Sequence, residues 1–270
     1  MTHPLEGARL KVSRAQEHLN SLQVEIGVYL EKHPPDIVTK ANPDNTWTHA
    51  VKVIASPPVR LSIIVGDCVT SARAALDYIV WELANRYFVP RIDITNWQDR
   101  KLASFQVSEN ATDKNHVKWF RDLANRKIPS LAIDEIKAVQ PYQSGDDSLR
   151  WLPVLANTDK HRMLLLTIGV LGSVVLGFDR VTNDKCFNYK LEAPGATSVS
   201  AEGSRGTGVV FYPHSESVRA VSDTRIVETQ PSIYVAWQDS ALPREPIDRT
   251  LERIVEYVES IVPRFDSYFW

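Results

Sequence analysis

Between Leu5 and Tyr29 apolar residues return at alternating intervals of three and four: Leu5, Ala8, Val12, Ala15, Leu19, Leu22, Ile26 and Tyr29. This spacing marks a heptad-like seam along a helix of about eight turns, ended by Pro34 and Pro35. Such a seam needs an apolar partner, either other helices of the same chain or a second copy, so a helix bundle and a homodimer through the long helices are both open. Glu6, Arg9, Arg14, Glu17, Glu25 and Lys32 form the wetted side.

A second long helix is predicted after Pro57 and Pro58, through Leu61, Ile64, Val65, Cys68, Ala72, Ala75, Leu76, Ile79, Leu83 and Tyr87. It is apolar around much of its circumference, as a central bundle helix must be. Asn115–Arg126 and Leu131–Val139 read as shorter amphipathic helices, with Trp119, Phe120 and Leu123 inward and Lys118, Arg121, Arg126 and Lys127 as the most basic local patch. The spacing of Ile247, Leu251, Ile254, Val255, Val258, Ile261, Val262 and Phe265 predicts a last helix returning to the bundle.

Other stretches change period. Ile37-Val38 and Val51–Ile54 flank the turn-rich A-N-P-D-N-T and predict a two-stranded edge ribbon, and Ser104–Val107 predicts one short strand. Beyond Met163, β-prone runs at Leu164–Phe178, Cys186–Leu191, Thr197–Ala201, Gly208–Tyr212, Arg225–Glu228 and Ile233–Gln238 alternate with turn residues. The expected fold class is therefore α+β, a long-helix bundle packed with an antiparallel β-sheet of about five or six strands. It is read as a single domain over 1–270, with a helical core from 1–162 and 244–270 and a β-rich segment at 163–240.

The 270 residues are 43% hydrophobic, enough for a sizeable core. Thirty-one Lys and Arg against 33 Asp and Glu leave a net charge of -2, so no global basic field points to nucleic acid. Cys68 and Cys186 lie in separate segments, which argues against a disulfide framework and for a reducing, cytoplasmic setting. The N-terminus shows no apolar leader, and the longest apolar run, Met163–Phe178, is too short and too interrupted to span a bilayer, so no membrane partner is expected.

Polar chemistry crowds against an apolar face in Gln140–Arg162, Q-P-Y-Q-S-G-D-D-S-L-R-W-L-P-V-L-A-N-T-D-K-H-R. A helix begun near Asp146 or Asp147 puts Leu149, Leu152, Leu155 and Ala156 on one stripe, and Asp159 falls on its next position. A carboxylate there needs a cationic or hydrogen-bonding partner unless the helix end frays. Asn157 with His161, and Thr158 with Arg162, are related as i and i+4. Lys160, His161 and Arg162 also suit the negative end of a helix dipole without any further role. On the second long helix Arg73 and Asp77 form an i,i+4 pair, read either as a local ion pair or as the group that reaches across to orient His161.

No phosphate-binding loop, dinucleotide fingerprint, nucleophile elbow or H-E-x-x-H is present, and Gly203–Gly208 reads as a hairpin loop. The remaining histidines, His3, His18, His33, His49, His116 and His214, have no mutual metal-ligand spacing, so neither a metal nor a cofactor is expected.

The combination of S-A-R-A-A-L-D-Y-I-V-W-E-L, Q-P-Y at a helix end, L-x-x-L-A-N-T-D-K-H-R and the terminal I-V-P-R-F resembles a widespread bacterial protein family without an assigned activity. The likeness covers most of the chain, and D-K-H-R is its most specific part. Asn157-x-x-x-His161 gives a more distant similarity to the HEPN class of helical ribonucleases and toxins, which carry an Arg four to six residues before a His. Here Asn157 stands at that spacing, Ala156 precedes it, and the nearest upstream Arg is Arg150. That resemblance implies a metal-independent ribonuclease. His161 would serve as general base or acid on an RNA 2′-hydroxyl, Arg162 and Lys160 would stabilise phosphorane charge, and Asn157 would hold a phosphate oxygen. The leading expectation is instead a non-enzymatic interaction or ligand-binding protein, in which Asp159, His161, Arg162, Arg73, Asp77 and Tyr142 form a structural polar network.

Overall fold

The structure is a computed structural model and describes residues 3–34, 36–41, 47–52, 55–164, 166–171, 187–192, 200–203, 207–210, 219–222, 232–239, 242–243 and 245–270. Its helices are α1 (Glu6–Lys32), α2 (Val59–Tyr87), α3 (Trp97–Leu102), α4 (Lys114–Asn125), α5 (Ser130–Ala138), α6 (Pro141–Ser144), α7 (Ser148–His161) and α8 (Ile247–Ile261), followed by a 3-10 stretch, Val262–Phe269. The chain divides into two compact units. One holds Met1–Gln23, Ser62–Leu164 and Asp248–Trp270; the other holds Val24–Leu61 and Leu165–Ile247.

In the first unit the periodic residues are buried where their spacing requires. Leu5 just before α1, Ala8, Ala15 and Leu22 of α1, Val65, Cys68, Leu76 and Ile79 of α2, and Leu251, Val258 and Ile261 of α8 have no exposed surface. Burying one such leucine contributes roughly 1.5–3 kcal/mol, so this core outweighs any single polar contact around it. The Cys68 thiol donates to the Ala15 carbonyl oxygen at 3.4 Å, and burial pushes its pKa up to about 12. It is a packed residue rather than a nucleophile at neutral pH.

The segment between α2 and α5 departs from expectation at three places. First, α3 was not foreseen; its start is fixed by Asn96, whose side chain accepts from the Gln98 N–H at 2.9 Å. Second, Ser104–Val107 is not a strand. Its peptide groups bind side chains instead: the Phe105 N–H donates to Asp77 Oδ1 at 2.9 Å, and Arg73 Nη2 donates to the Phe105 carbonyl. Fully buried Gln140 donates to the Gln106 and Ile136 carbonyls, at 3.1 and 3.2 Å, and accepts from the Ser108 N–H at 3.0 Å.

Third, Arg126 does not belong to a solvated basic face. It makes two bonds to Asp99, at 2.7 and 3.0 Å, and a third to the Pro90 carbonyl, with its guanidinium 4.4 Å from the Phe88 ring centroid. That paired geometry holds the Asp99 carboxyl below its usual pKa. The next residue, Lys127, has φ 74° and closes α4: its N–H donates to the Ala124 carbonyl at 3.0 Å, and the Ile128 N–H to the Leu123 carbonyl at 3.2 Å. This is a Schellman ending with lysine in the position that favours glycine.

In the second unit, the Tyr29 hydroxyl donates to the Ala55 carbonyl at 2.6 Å, and Arg60 meets Glu25 at 2.7 Å. The strands are β1 (Asp36–Ala41), β2 (Trp47–Lys52), β3 (Leu166–Leu171), β4 (Phe187–Glu192), β5 (Ser200–Gly203), β6 (Thr207–Val210), β7 (Arg219–Ser222) and β8 (Ser232–Trp237). They form no single antiparallel sheet. One ladder runs β1-β2-β4-β5, and β3-β8 and β6-β7 are separate pairs.

The expectation of an α+β fold with a bundle packed on an antiparallel sheet is therefore corrected: most of the described residues are helical, and the strands share no common antiparallel sheet. In β8 Tyr234 is half-buried and Val235, Ala236 and Trp237 are buried. The first hairpin forms as expected, β1 pairing antiparallel with β2 at the edge of its ladder, but β2 joins β4 in parallel, from Trp47↔Phe187 to Lys52↔Glu192. Alternation within a strand fixes its two faces but carries no information on which distant strand it will join. The expected strand at Arg225–Glu228, residues 204–206 of the Gly203–Gly208 loop and Cys186 lie outside the described residues.

Candidate functional site

Helix α7 begins after Asp147, with the Ser148 N–H donating to Asp146 Oδ1 at 2.7 Å, and buries Leu149, Leu152, Leu155 and Ala156 as the stripe requires. Asp159, next on that stripe, faces α2. A Cβ built on Gly66 would lie 2.6 Å from Asp159 Cγ, so the close approach of the carboxyl to α2 depends on glycine there. The Thr70 hydroxyl stands 3.5 Å from Asp159 Oδ2, the outer limit of a hydrogen bond. Burial raises the Asp159 pKa, repulsion from Asp67 adds to the rise, and Thr70 opposes it.

Arg73 and Asp77 pair at 3.2 Å, and both turn to the Phe105 peptide rather than to His161. Burial lifts the Asp77 pKa, against the pull of Arg73, of the Phe105 N–H and, at longer range, of Lys160.

Asn157, Lys160, His161 and Arg162 are exposed. Among the described residues no side-chain hydrogen bond or ion pair holds the His161 ring, and the i,i+4 relations with Asn157 and between Thr158 and Arg162 produce no side-chain bond. The end of the helix is closed by backbone alone, the Arg162 N–H donating to the Thr158 carbonyl at 2.8 Å. Thus Asp159 meets Gly66 and Thr70, Arg73 and Asp77 grip Phe105, and His161 stands apart from both groups.

Tyr142 belongs to a different cluster. Its ring lies edge-on to His116 at 5.8 Å, and Phe120 (4.6 Å) and Trp119 (5.9 Å) complete the cage. His116 is 2% exposed and neither ring nitrogen has a hydrogen-bond partner; burial lowers its pKa, with Asp113 opposing. Metal-ligand spacing, the property sought among the histidines, could not have singled it out; the flanking Trp119 and Phe120 are the signal that would have.

A groove of about 600 Å³ runs between α1 and the end of α8 and its 3-10 continuation. No periodicity marked it, because its walls are ordinary polar helix faces. Among the described residues no group of three or more His, Cys, Asp or Glu is placed to hold a metal ion, and no helix is long and apolar enough to cross a membrane.

Comparison of the chain with protein-family models, with curated proteins and with solved structures finds no match.

Proposed function

We propose that this chain is a non-enzymatic interaction or ligand-binding protein of the cytoplasm, in which Asp159, set against Gly66 and Thr70, and the Arg73–Asp77 pair that holds Phe105 are structural. The observation that supports this reading is the use made of Arg73 and Asp77. Both satisfy the Phe105 peptide, which leaves His161 without a group to fix its tautomer or steady its ring. A general base works from a held geometry, and an imidazole free in solvent lacks one. Two separated cysteines support the reducing compartment.

The alternative, a HEPN-like ribonuclease, draws support from one feature: His161 is exposed, with Lys160 and Arg162 beside it, so an RNA strand could reach the imidazole. The two readings separate on a mixed RNA panel in EDTA, comparing wild type with His161→Ala and melting both proteins. The interaction reading expects no cleavage by either protein and nearly equal melting temperatures, since His161 makes no contact to lose. Cleavage by wild type that disappears in a normally melting variant would replace that reading with the nuclease.

A further inference from the structure

We propose that the groove between α1 and the α8 end binds a basic, extended segment of a partner protein. This deepens the interaction reading and rests on it. The groove has an apolar floor formed by Val12, Val262 and Pro263. Its α1 wall carries Ser13, Gln16 and Asn20, an i, i+3, i+7 line of hydroxyl and amide groups. Gln16 Nε2 donates to Asn20 Oδ1 at 3.0 Å, which leaves Gln16 Oε1 as an acceptor and Asn20 Nδ2 as a donor. One acceptor beside one donor matches the N–H and C=O of a passing peptide, the pairing by which extended segments gain backbone affinity.

Charge selects the side chains. Arg9, at one end, is neutralised by Asp266 at 2.6 Å, and Glu17 is met by Arg14 at 2.6 Å. Glu259 on the opposite wall has no ion pair among the described residues; beyond the groove the exposed face of α8 carries Glu252 and Glu256 together with Arg249, so Glu259 is the charge that the groove itself presents. A lysine or arginine can lay its methylenes on the apolar floor and bring its charge to Glu259. A polyamine offers donors only and leaves Asn20 Nδ2 unmatched, so a peptide fits the wall better than a free amine does.

The test uses the full chain and three probes: a fluorescent octapeptide of alternating lysine and glycine, its glutamate counterpart, and spermine as competitor, read by anisotropy at low and moderate salt. The lysine peptide is expected to bind, more weakly as salt rises; the glutamate peptide is not, and spermine is expected to displace poorly. Glu259→Lys should weaken binding about tenfold and Gln16→Ala several-fold, both with unchanged melting since these positions carry no core contact. Absence of binding, equal binding of both peptides, indifference to Glu259→Lys, or full displacement by spermine would each overturn the proposal. Concentration-dependent dimerisation abolished by Glu259→Lys would overturn it as well, by assigning the groove to a second copy. None of these outcomes alters the RNA result, so failure here and failure of the interaction reading are read separately.

Discussion

Asp159 sits directly against Gly66: a Cβ at Gly66 would stand 2.6 Å from Asp159 Cγ and 2.8 Å from Oδ2. Alanine inside a helix ordinarily gains about 1 kcal/mol over glycine. Here the short Asp159 side chain has little room to yield, and overpacking costs about 1–3 kcal/mol. Gly66→Ala should therefore lower stability in urea unfolding, whereas Gly66→Ala combined with Asp159→Ala should be at least as stable as wild type. Additive effects in that double-mutant cycle would show that the two residues do not touch.

Removing the Asp159 charge alone gives a pH test. Burial and Asp67 raise its folded-state pKa above the unfolded value of about 3.9, so the folded chain holds the proton more tightly than the unfolded one. The ionised carboxylate thus opposes folding at neutral pH, and this opposition fades as pH falls through the raised pKa towards the unfolded one. Asp159→Asn should be more stable than wild type at pH 7, with the advantage shrinking at acid pH. Urea midpoints across pH 4 to 7 read it; an advantage that grows on acidification refutes it.

The Phe105 peptide depends on two side chains from α2, so its protection should be local to them. Asp77→Ala leaves the Phe105 N–H without its acceptor and Arg73 without its counter-ion, a loss of about 1–3 kcal/mol. Amide exchange at Phe105 should then accelerate by about tenfold or more. Exchange unchanged at Phe105 would mean that the bond contributes nothing to closing this segment.

Lys127 offers a gain instead of a loss. A side chain in the left-handed region costs about 1 kcal/mol, and glycine at a helix C′ position avoids that cost. Lys127→Gly should raise the melting temperature despite the added freedom of its unfolded chain, and a fall would indicate that the lysine makes a compensating contact.

The elements most legible in the sequence were those whose information is local. The α1 seam and the α8 stripe repeat every three to four residues, and burial follows that repeat from Leu5 to Leu22 and from Leu251 to Phe265. Ser104–Val107 misled because Phe105 and Val107 favour strands, while the partners of its peptide groups, Arg73, Asp77 and Gln140, lie about thirty residues away in either direction. Arg126 misled in the same way: beside Lys127 it reads as surface, and only the fold reveals Asp99. Grouping the strands failed because pairings such as β2 with β4 join segments far apart in sequence. At the candidate site the stripe leads to Asp159, half-buried against Gly66, yet the composition of α7 could not reveal that Arg73 and Asp77 were already engaged elsewhere.

His116 supplies the clearest pH dependence. Its ring is enclosed by Trp119, Phe120 and Tyr142, with no hydrogen-bond partner at either nitrogen, so the neutral form is the one the cage accepts. Burial depresses the folded-state pKa below the unfolded value of about 6.5, and the nearby Asp113 carboxylate only partly offsets this. The unfolded chain then binds the proton first as pH falls. Stability is fully present above about pH 6.5 and is lost as pH descends towards the folded-state pKa. His116→Leu removes both the titration and two unsatisfied buried nitrogens at similar volume. It should be no less stable than wild type at pH 7.5, and its stability at pH 5.5 should fall less. Chemical denaturation of both proteins at these two values decides the matter. Parallel losses would place the acid sensitivity elsewhere and leave His116 as a spectator in its cage.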